Sequence, residues 1–205
     1  MQQEWQSRPV MTSRRQAPTG GRVRSFLAAT LALLCVGMMA GCAALPEDAS
    51  VMEQLDEETG LTVTRLGRPI ELYRETFQRD PSGRFAFLGP FETNQMGSRA
   101  LYLWIALPVE IAAGTEPDLE LDGHQLALGA PSRDAGTAGL RRSPYKIPTP
   151  WSAMFYYKID ADVVGRLAAA TTLSIRVTEQ TKDGVKITVF ASSVADSRLK
   201  DFAAR

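Results

Sequence analysis

The feature that most constrains this chain is an uncharged apolar run from Phe26 to Ala40, which ends at Gly41-Cys42. Four arginines come shortly before it: Arg14, Arg15, Arg22 and Arg24. A cationic lead, a short apolar core and small residues at its end form the three-part pattern of a secretory signal. The run is short for a transmembrane helix, which needs roughly 20 apolar residues. The sequence therefore predicts that residues 1–41 are a signal peptide and that the folded part follows them.

The end of the run, Met39-Ala40-Gly41-Cys42, resembles the lipobox of bacterial lipoproteins. Its two small residues fit that motif, and Met39 stands where the family usually has leucine. The resemblance implies that the chain is cleaved before Cys42 and that this cysteine carries a diacylglyceryl thioether. A leader that stays uncleaved, or one that simply secretes the protein, is the alternative.

The same resemblance implies a location. Ala43, rather than aspartate, follows the cysteine, which in lipoprotein sorting favours the periplasmic side of the outer membrane over the inner membrane. The expected membrane contact is the lipid anchor itself. The long polar lead before the apolar run also makes Met11 an alternative start to Met1.

Removing the leader changes the charge balance. Residues 1–41 hold five of the 23 bases and one of the 23 acids, so the remainder has 18 bases and 22 acids. This mild acidity gives no electrostatic reason to expect a nucleic-acid partner. The remaining length suits one domain with its own core. Its one cysteine is Cys42, so no disulfide is expected and burial must stabilise the fold.

The segment 42–60 is polar and acidic, and two interpretations remain open for it. Ser50-Val51-Met52-Glu53 fits a capping box, and Gly60 stands where a helix C-cap would be, which predicts a short helix over 51–59. A disordered acidic tether is the alternative.

From Leu61 onward the apolar pattern changes to a period of two, which is typical of strands. The first strands are predicted over 61–65, 70–77, 85–93 and 100–107, with turns at 80–83 and 94–97. Gly89-Pro90 interrupts the third of these and suggests a bulge or an edge position. The fourth, Ala100 to Leu107, is apolar throughout, so we expect a central strand buried on both faces with Trp104 in the core.

Further elements follow in the second half of the chain. Asp122-Gly123 between alternating residues predicts a hairpin with a two-residue turn. A strand is predicted over 151–159 and a short helix over 163–169, with Asp160 or Asp162 as its N-cap. The last hairpin joins 172–179 to 185–191, and six residues are predicted to face one another across it: Leu173, Ile175, Val177, Val185, Ile187 and Val189.

Together these elements predict a mainly β fold. Roughly seven to nine short strands with one short helical crossover indicate an antiparallel, immunoglobulin-like β-sandwich, with residues 61–205 as a single domain. A small β-barrel is the alternative.

Catalytic signatures are sparse in this sequence. His124 is the one histidine, and zinc sites and His-dependent triads need further partners. Neither a G-x-S-x-G elbow nor a P-loop occurs. Four acids at a spacing of two fit a solvated strand better than a calcium site: Glu116, Asp118, Glu120 and Asp122. We therefore expect a protein that is not an enzyme, with no catalytic residue, metal or cofactor apart from the covalent lipid.

A long aperiodic segment, 129–150, is the candidate for partner binding, because loops of this length are often functional. It and the residue after it carry bases and aromatic side chains suited to an acidic peptide, a glycan or lipid head groups. The candidate residues are Arg141, Arg142, Tyr145, Lys146 and Trp151. A solvated loop without a partner is the alternative.

The sequence thus favours a non-enzymatic lipoprotein that binds or scaffolds a protein or glycan of the cell envelope. Two other functions stay open. A cell-wall hydrolase acting through Asp and Glu would need a cleft lined by paired acids with raised pKa values. A carrier of lipid or another apolar ligand would need an internal cavity.

Overall fold

The computed structural model describes residues 50–74, 85–148, 150–192 and 196–205. The predicted leader, the lipobox with Cys42 and the predicted turn at 80–83 lie outside the described residues. So does the part of the predicted strand 70–77 that follows Arg74.

The described residues are mainly antiparallel strands. In chain order these are β1 (Val51–Asp56), β2 (Leu61–Leu66), β3 (Ile70–Arg74), β4 (Phe85–Gln95), β5 (Ser98–Leu107), β6 (Asp118–Leu121), β7 (His124–Gln125), β8 (Ala153–Ile159), β9 (Leu173–Thr181) and β10 (Gly184–Ser192). The helices are α1 (Ala161–Ala169), α2 (Ser197–Ala203) and a short 3-10 helix, Ala135–Ala138. This is the predicted class, an antiparallel β-sandwich with short helical parts.

The strands form two groups that are joined where β3 pairs with β4. One group runs β1-β2-β4-β5-β8 and the other runs β3-β10-β9-β6-β7. β2 and β3 lie end to end along the same edge of β4, with Arg65 opposite Phe91 and Ile70 opposite Leu88. The arrangement is open, since the strand order ends at β1 and β7.

The core lies where the two groups face each other. β5 is its central strand, as predicted: Leu103 to Leu107 are buried on both faces and Trp104 is fully buried. Alternate residues of β9 and β10, such as Ile175 and Phe190, are buried in the same cluster. This apolar burial is the main favourable term available to a domain without disulfides.

Three local predictions are confirmed. Asp122 (φ 49°) and Gly123 (φ 79°) form the two-residue turn between β6 and β7. Asp160 caps α1, since its carboxylate accepts a 3.0 Å hydrogen bond from the Val163 N–H. Met96-Gly97 forms the predicted turn between β4 and β5.

The predicted helix over 51–59 is wrong, because these residues contain β1. All six residues of β1 pair with β2, from Val51 opposite Leu66 to Asp56 opposite Leu61. Gly60 has the positive φ that suggested a helix C-cap, but its N–H bonds to the Asp56 carbonyl and closes a hairpin. Pairing with β2 therefore outweighs the local capping signal.

The interruption at Gly89-Pro90 lies in an interior strand and not at an edge. β4 pairs with β5 on one side, through these two residues, and with β2 and β3 on the other. The missing N–H of Pro90 falls in the gap between β2 and β3, where no ladder hydrogen bond is required. The predicted irregularity is therefore accommodated by the neighbouring strands.

The prediction of which side chains face one another across the last hairpin is also wrong. Thr181 pairs with Gly184, so the turn has two residues, Lys182-Asp183, and Gly184 belongs to β10. A shift of one residue moves alternate side chains to the other face. Val185 and Ile187 consequently lie on the outer face, while Leu173, Ile175 and Val177 are buried.

Candidate binding surface

Tyr145 was predicted to contact a partner, but the structure places it in the core. Its side chain is buried, and its ring lies beside that of Trp104, with 5.1 Å between the centroids. Its hydroxyl accepts a 3.2 Å hydrogen bond from the Leu66 N–H and donates one to the Pro90 carbonyl. Burial raises the pKa of this phenol well above its usual range. Tyr145 therefore fixes the segment 129–148 to the sheet and is not available to a partner.

The other four candidates are accessible, but only two share a groove. Arg141 and Arg142 are exposed side by side, and Arg141 forms an ion pair with Glu58 in the β1–β2 turn. Lys146 is exposed and Trp151 is 50% exposed, and neither lines that groove. Of the five predicted binding residues, the structure thus brings only Arg141 and Arg142 together in one groove.

These arginines line what we call the hairpin groove, a cavity of about 530 Å³ between the β1–β2 hairpin and residues 140–144. Its lining is strongly polar and carries both signs of charge. The charged members are Asp56, Glu57, Glu58, Arg65, Arg141 and Arg142. A surface of this kind suits a partner with polar or ionic groups of both signs.

A second cavity, of about 490 Å³, lies between the sheet and the two helices, and we call it the helix groove. Its floor is apolar: Leu101, Ile159, Val164 and Phe202. Its rim carries charges that include an ion pair between Arg99 and Glu92 at 2.7 Å. The sequence analysis missed this groove, because it depends on the packing of α1 against α2 and of α2 against β2 and β1, which are far apart in the sequence.

The acids singled out in the sequence have structural partners. Glu120 pairs with Arg176 at 2.7 Å, and Asp118 accepts a 3.1 Å hydrogen bond from Gln125. Asp122 accepts hydrogen bonds from the hydroxyl and N–H groups of Thr171 and Thr172, which lower its pKa. In the described parts of the chain, no group of three or more His, Cys, Asp or Glu side chains is placed to hold a metal ion.

Asp196 also has a shifted pKa. Partial burial raises its pKa, but hydrogen bonds and the charge of Arg198 outweigh that effect, and the net shift is downward. It caps α2 by accepting from the Arg198 N–H at 3.0 Å. A lowered pKa suits this capping role and does not suit a general acid.

Across the ranges that the structure describes, none of the helices has the length and apolar character needed to cross a bilayer. Comparison of the chain with protein-family models, with curated proteins and with solved structures found no match.

Proposed function

We propose that this protein is a non-enzymatic lipoprotein of the cell envelope, anchored through a lipid on Cys42 to the periplasmic side of the outer membrane. Its β-sandwich binds or scaffolds another envelope component, either a protein or a glycan. The observation that carries the proposal is the lipobox-like Met39-Ala40-Gly41-Cys42 at the end of an apolar run, shortly before β1.

The small number of residues between Cys42 and the sandwich supports this role. β1 begins at Val51, nine residues after Cys42. A chain of that length spans at most about 30 Å when fully extended. A domain on such a tether stays next to the membrane surface, where partners fixed in the same layer of the envelope are within reach.

The hairpin groove supports binding as the activity of the domain. Arg141 and Arg142 are held at its border by a segment that Tyr145 fixes to the sheet. Cations on a fixed support bind with less loss of side-chain and loop freedom than cations on a mobile loop. Carboxylates of a protein or of an acidic glycan are suitable partners for the two guanidinium groups.

The proposal is tested by crosslinking in cells followed by affinity capture of the lipidated protein. The wild type is compared with the double variant Arg141→Glu/Arg142→Glu and with Lys146→Glu, which reverses a nearby exposed charge outside the groove. We expect a specific envelope partner that is captured by wild type and Lys146→Glu and is lost in the double variant.

The anchor has its own test, because it can fail independently of binding. Cys42→Ser should abolish incorporation of labelled fatty acid and move the protein out of the membrane fraction. A wild-type protein that takes up no label, or the absence of any reproducible partner, would overturn the proposal. Robust hydrolysis of cell-wall material by the pure protein would replace it with an enzymatic function.

A further inference from the structure

The edge strand β1 offers backbone groups for pairing with a further strand. In the described part of the chain it pairs only with β2, over six consecutive residues without a bulge. Natural proteins usually protect such edges with lysine, proline, a bulge or a covering element. The β1 sequence, VMEQLD, contains neither lysine nor proline. The helix α2 contacts β1, but β2 is the one described strand paired with it, so its second hydrogen-bonding edge is regular enough to template an added strand.

The two grooves lie on opposite faces of this same strand. Glu53 and its cross-strand partner Thr64 line the helix groove. The next residue, Gln54, lines the hairpin groove together with its partner Val63. Because successive side chains of a strand point to opposite faces, a strand added beside β1 would direct its side chains into the two grooves alternately.

The chemistry of β1 and the grooves defines the occupant. The apolar floor of the helix groove suits an apolar side chain, and Leu55, which is 57% exposed, offers further apolar surface on β1. The charged side chains of β1 and its turn are all acidic: Glu53, Asp56, Glu57 and Glu58. A strand that carries lysine or arginine among its apolar residues complements these acids across the pair.

We infer that β1 is the docking strand for an extended segment of a partner protein, which pairs with its free edge and inserts alternate side chains into the helix groove and the hairpin groove. The inference rests on the proposed binding function and gives it a mode, strand addition, and a partner class: an extended peptide with basic residues beside the acids of β1, apolar residues in the helix groove and a carboxylate within reach of Arg141 and Arg142. A second copy of this chain fits less well, since pairing β1 with β1 would bring together two strands whose charges are all acidic.

The test begins with selection of peptides from a random dodecapeptide library on the purified full chain, followed by affinity measurements with the enriched peptides. We expect sequences that alternate apolar with charged residues, the charged ones including bases and at least one acid. Peptide binding should slow hydrogen exchange at the amides of β1. Two series of methylated peptides then test the pairing, one methylated at the odd and one at the even backbone nitrogens. Methylation should abolish binding in the series whose methylated nitrogens face β1 and spare it in the other, because only alternate amides face β1.

Matched variants place the site on β1. Glu53→Lys should weaken binding at least tenfold, because it puts a like charge beside the basic peptide. Met96→Lys, at a fully exposed position in the β4–β5 turn, should leave the affinity within about twofold of wild type. Both positions are exposed, so melting temperatures near that of wild type should show that both variants fold.

Three outcomes would overturn the inference. The first is that no peptide is enriched, and the second is that binding ignores both Glu53→Lys and backbone methylation. The third is that analytical ultracentrifugation shows a dimer without peptide and that the β1 amides are already protected from hydrogen exchange in that dimer. Binding that depends on Arg141 and Arg142 but not on Glu53 would overturn the docking strand while leaving the proposed binding function intact.

Discussion

The ring of Tyr145 lies directly on the backbone of Gly89, so that a β-carbon at position 89 would overlap the ring atoms. Gly89 lies in β4, next to the gap between β2 and β3. At that gap the Tyr145 hydroxyl links β2 to β4, because it accepts from the Leu66 N–H and donates to the Pro90 carbonyl. A side chain from a long connection thus supplies hydrogen bonds at a point where the sheet ladder is interrupted.

Gly89→Ala should therefore destabilise the protein. The added methyl group displaces a buried aromatic ring from a packed site, and overpacking of this kind typically costs about 1–3 kcal/mol. Urea denaturation monitored by tryptophan fluorescence measures the change in the free energy of unfolding. The matched control is Gly165→Ala in α1, where an added β-carbon meets no atom within 4 Å. It should be neutral or stabilising by up to about 1 kcal/mol, and equal losses in both variants would contradict the packing explanation.

Tyr145→Phe isolates the hydroxyl from the ring. The change keeps the packing on Gly89 but leaves the Leu66 N–H and the Pro90 carbonyl without their buried partner. Such a loss costs about 1–3 kcal/mol. Tyr102→Phe removes a hydroxyl that donates a 3.4 Å bond to the Thr137 carbonyl at an exposed site, and it should cost less than about 0.5 kcal/mol. If Tyr145→Phe proved as mild as this control, the bridge would not contribute to stability.

Stability should fall in acid through Asp122. Hydrogen bonds from Thr171 and Thr172 lower the pKa of this carboxyl group in the folded state. Its contribution is therefore fully present above the pKa of this group in the unfolded chain, about 3.9, and is lost as the pH falls through the lower folded pKa. Melting temperatures measured between pH 5 and pH 2 should fall less steeply for Asp122→Asn than for wild type. Asp183→Asn, in the exposed β9–β10 turn, should follow the wild-type curve.

Sequence reasoning succeeded where the decisive interactions are local. The Asp122-Gly123 turn requires positive φ at both positions, and aspartate and glycine tolerate that geometry. The cap of α1 needs only a carboxylate three residues before the Val163 N–H. The continuous apolar run of β5 indicated a strand with both faces covered, whatever elements cover them.

Prediction from the sequence failed where a local capping signal competed with strand pairing, and where a turn length that differed by one residue decided which side chains are buried. The capping box at Ser50 was locally valid, yet β1 gains a full ladder of hydrogen bonds with β2. Gly184 belongs to β10, so the turn is one residue shorter than the predicted pairing of Val177 with Val189 requires, and this reversed the predicted facing of Val185. Tyr145 resembled a surface aromatic because its partner, Gly89, lies more than fifty residues earlier in the chain. Long-range partners of this kind leave no periodic signal in a single sequence.

A buried ion pair between β3 and β9 leads to the last prediction. Arg74 bonds to Glu179 at 2.6 Å, and both side chains are largely buried. Thr188 donates to the same carboxylate oxygen at 2.7 Å. Glu179→Gln leaves the guanidinium of Arg74 buried without a countercharge, and breaking such a pair costs about 3 kcal/mol or more.

The control for that variant is Glu92→Gln, which breaks the pair with Arg99, whose side chain is 58% exposed. Exposed pairs contribute about 0–1 kcal/mol, so this variant should unfold near the wild-type denaturant midpoint, while Glu179→Gln unfolds well below it. The comparison holds charge change and residue type constant and varies mainly the burial of the arginine. Similar midpoints for the two variants would mean that water or a neighbouring group compensates Arg74, and that the placement of β3 beside β9 does not depend on this ion pair.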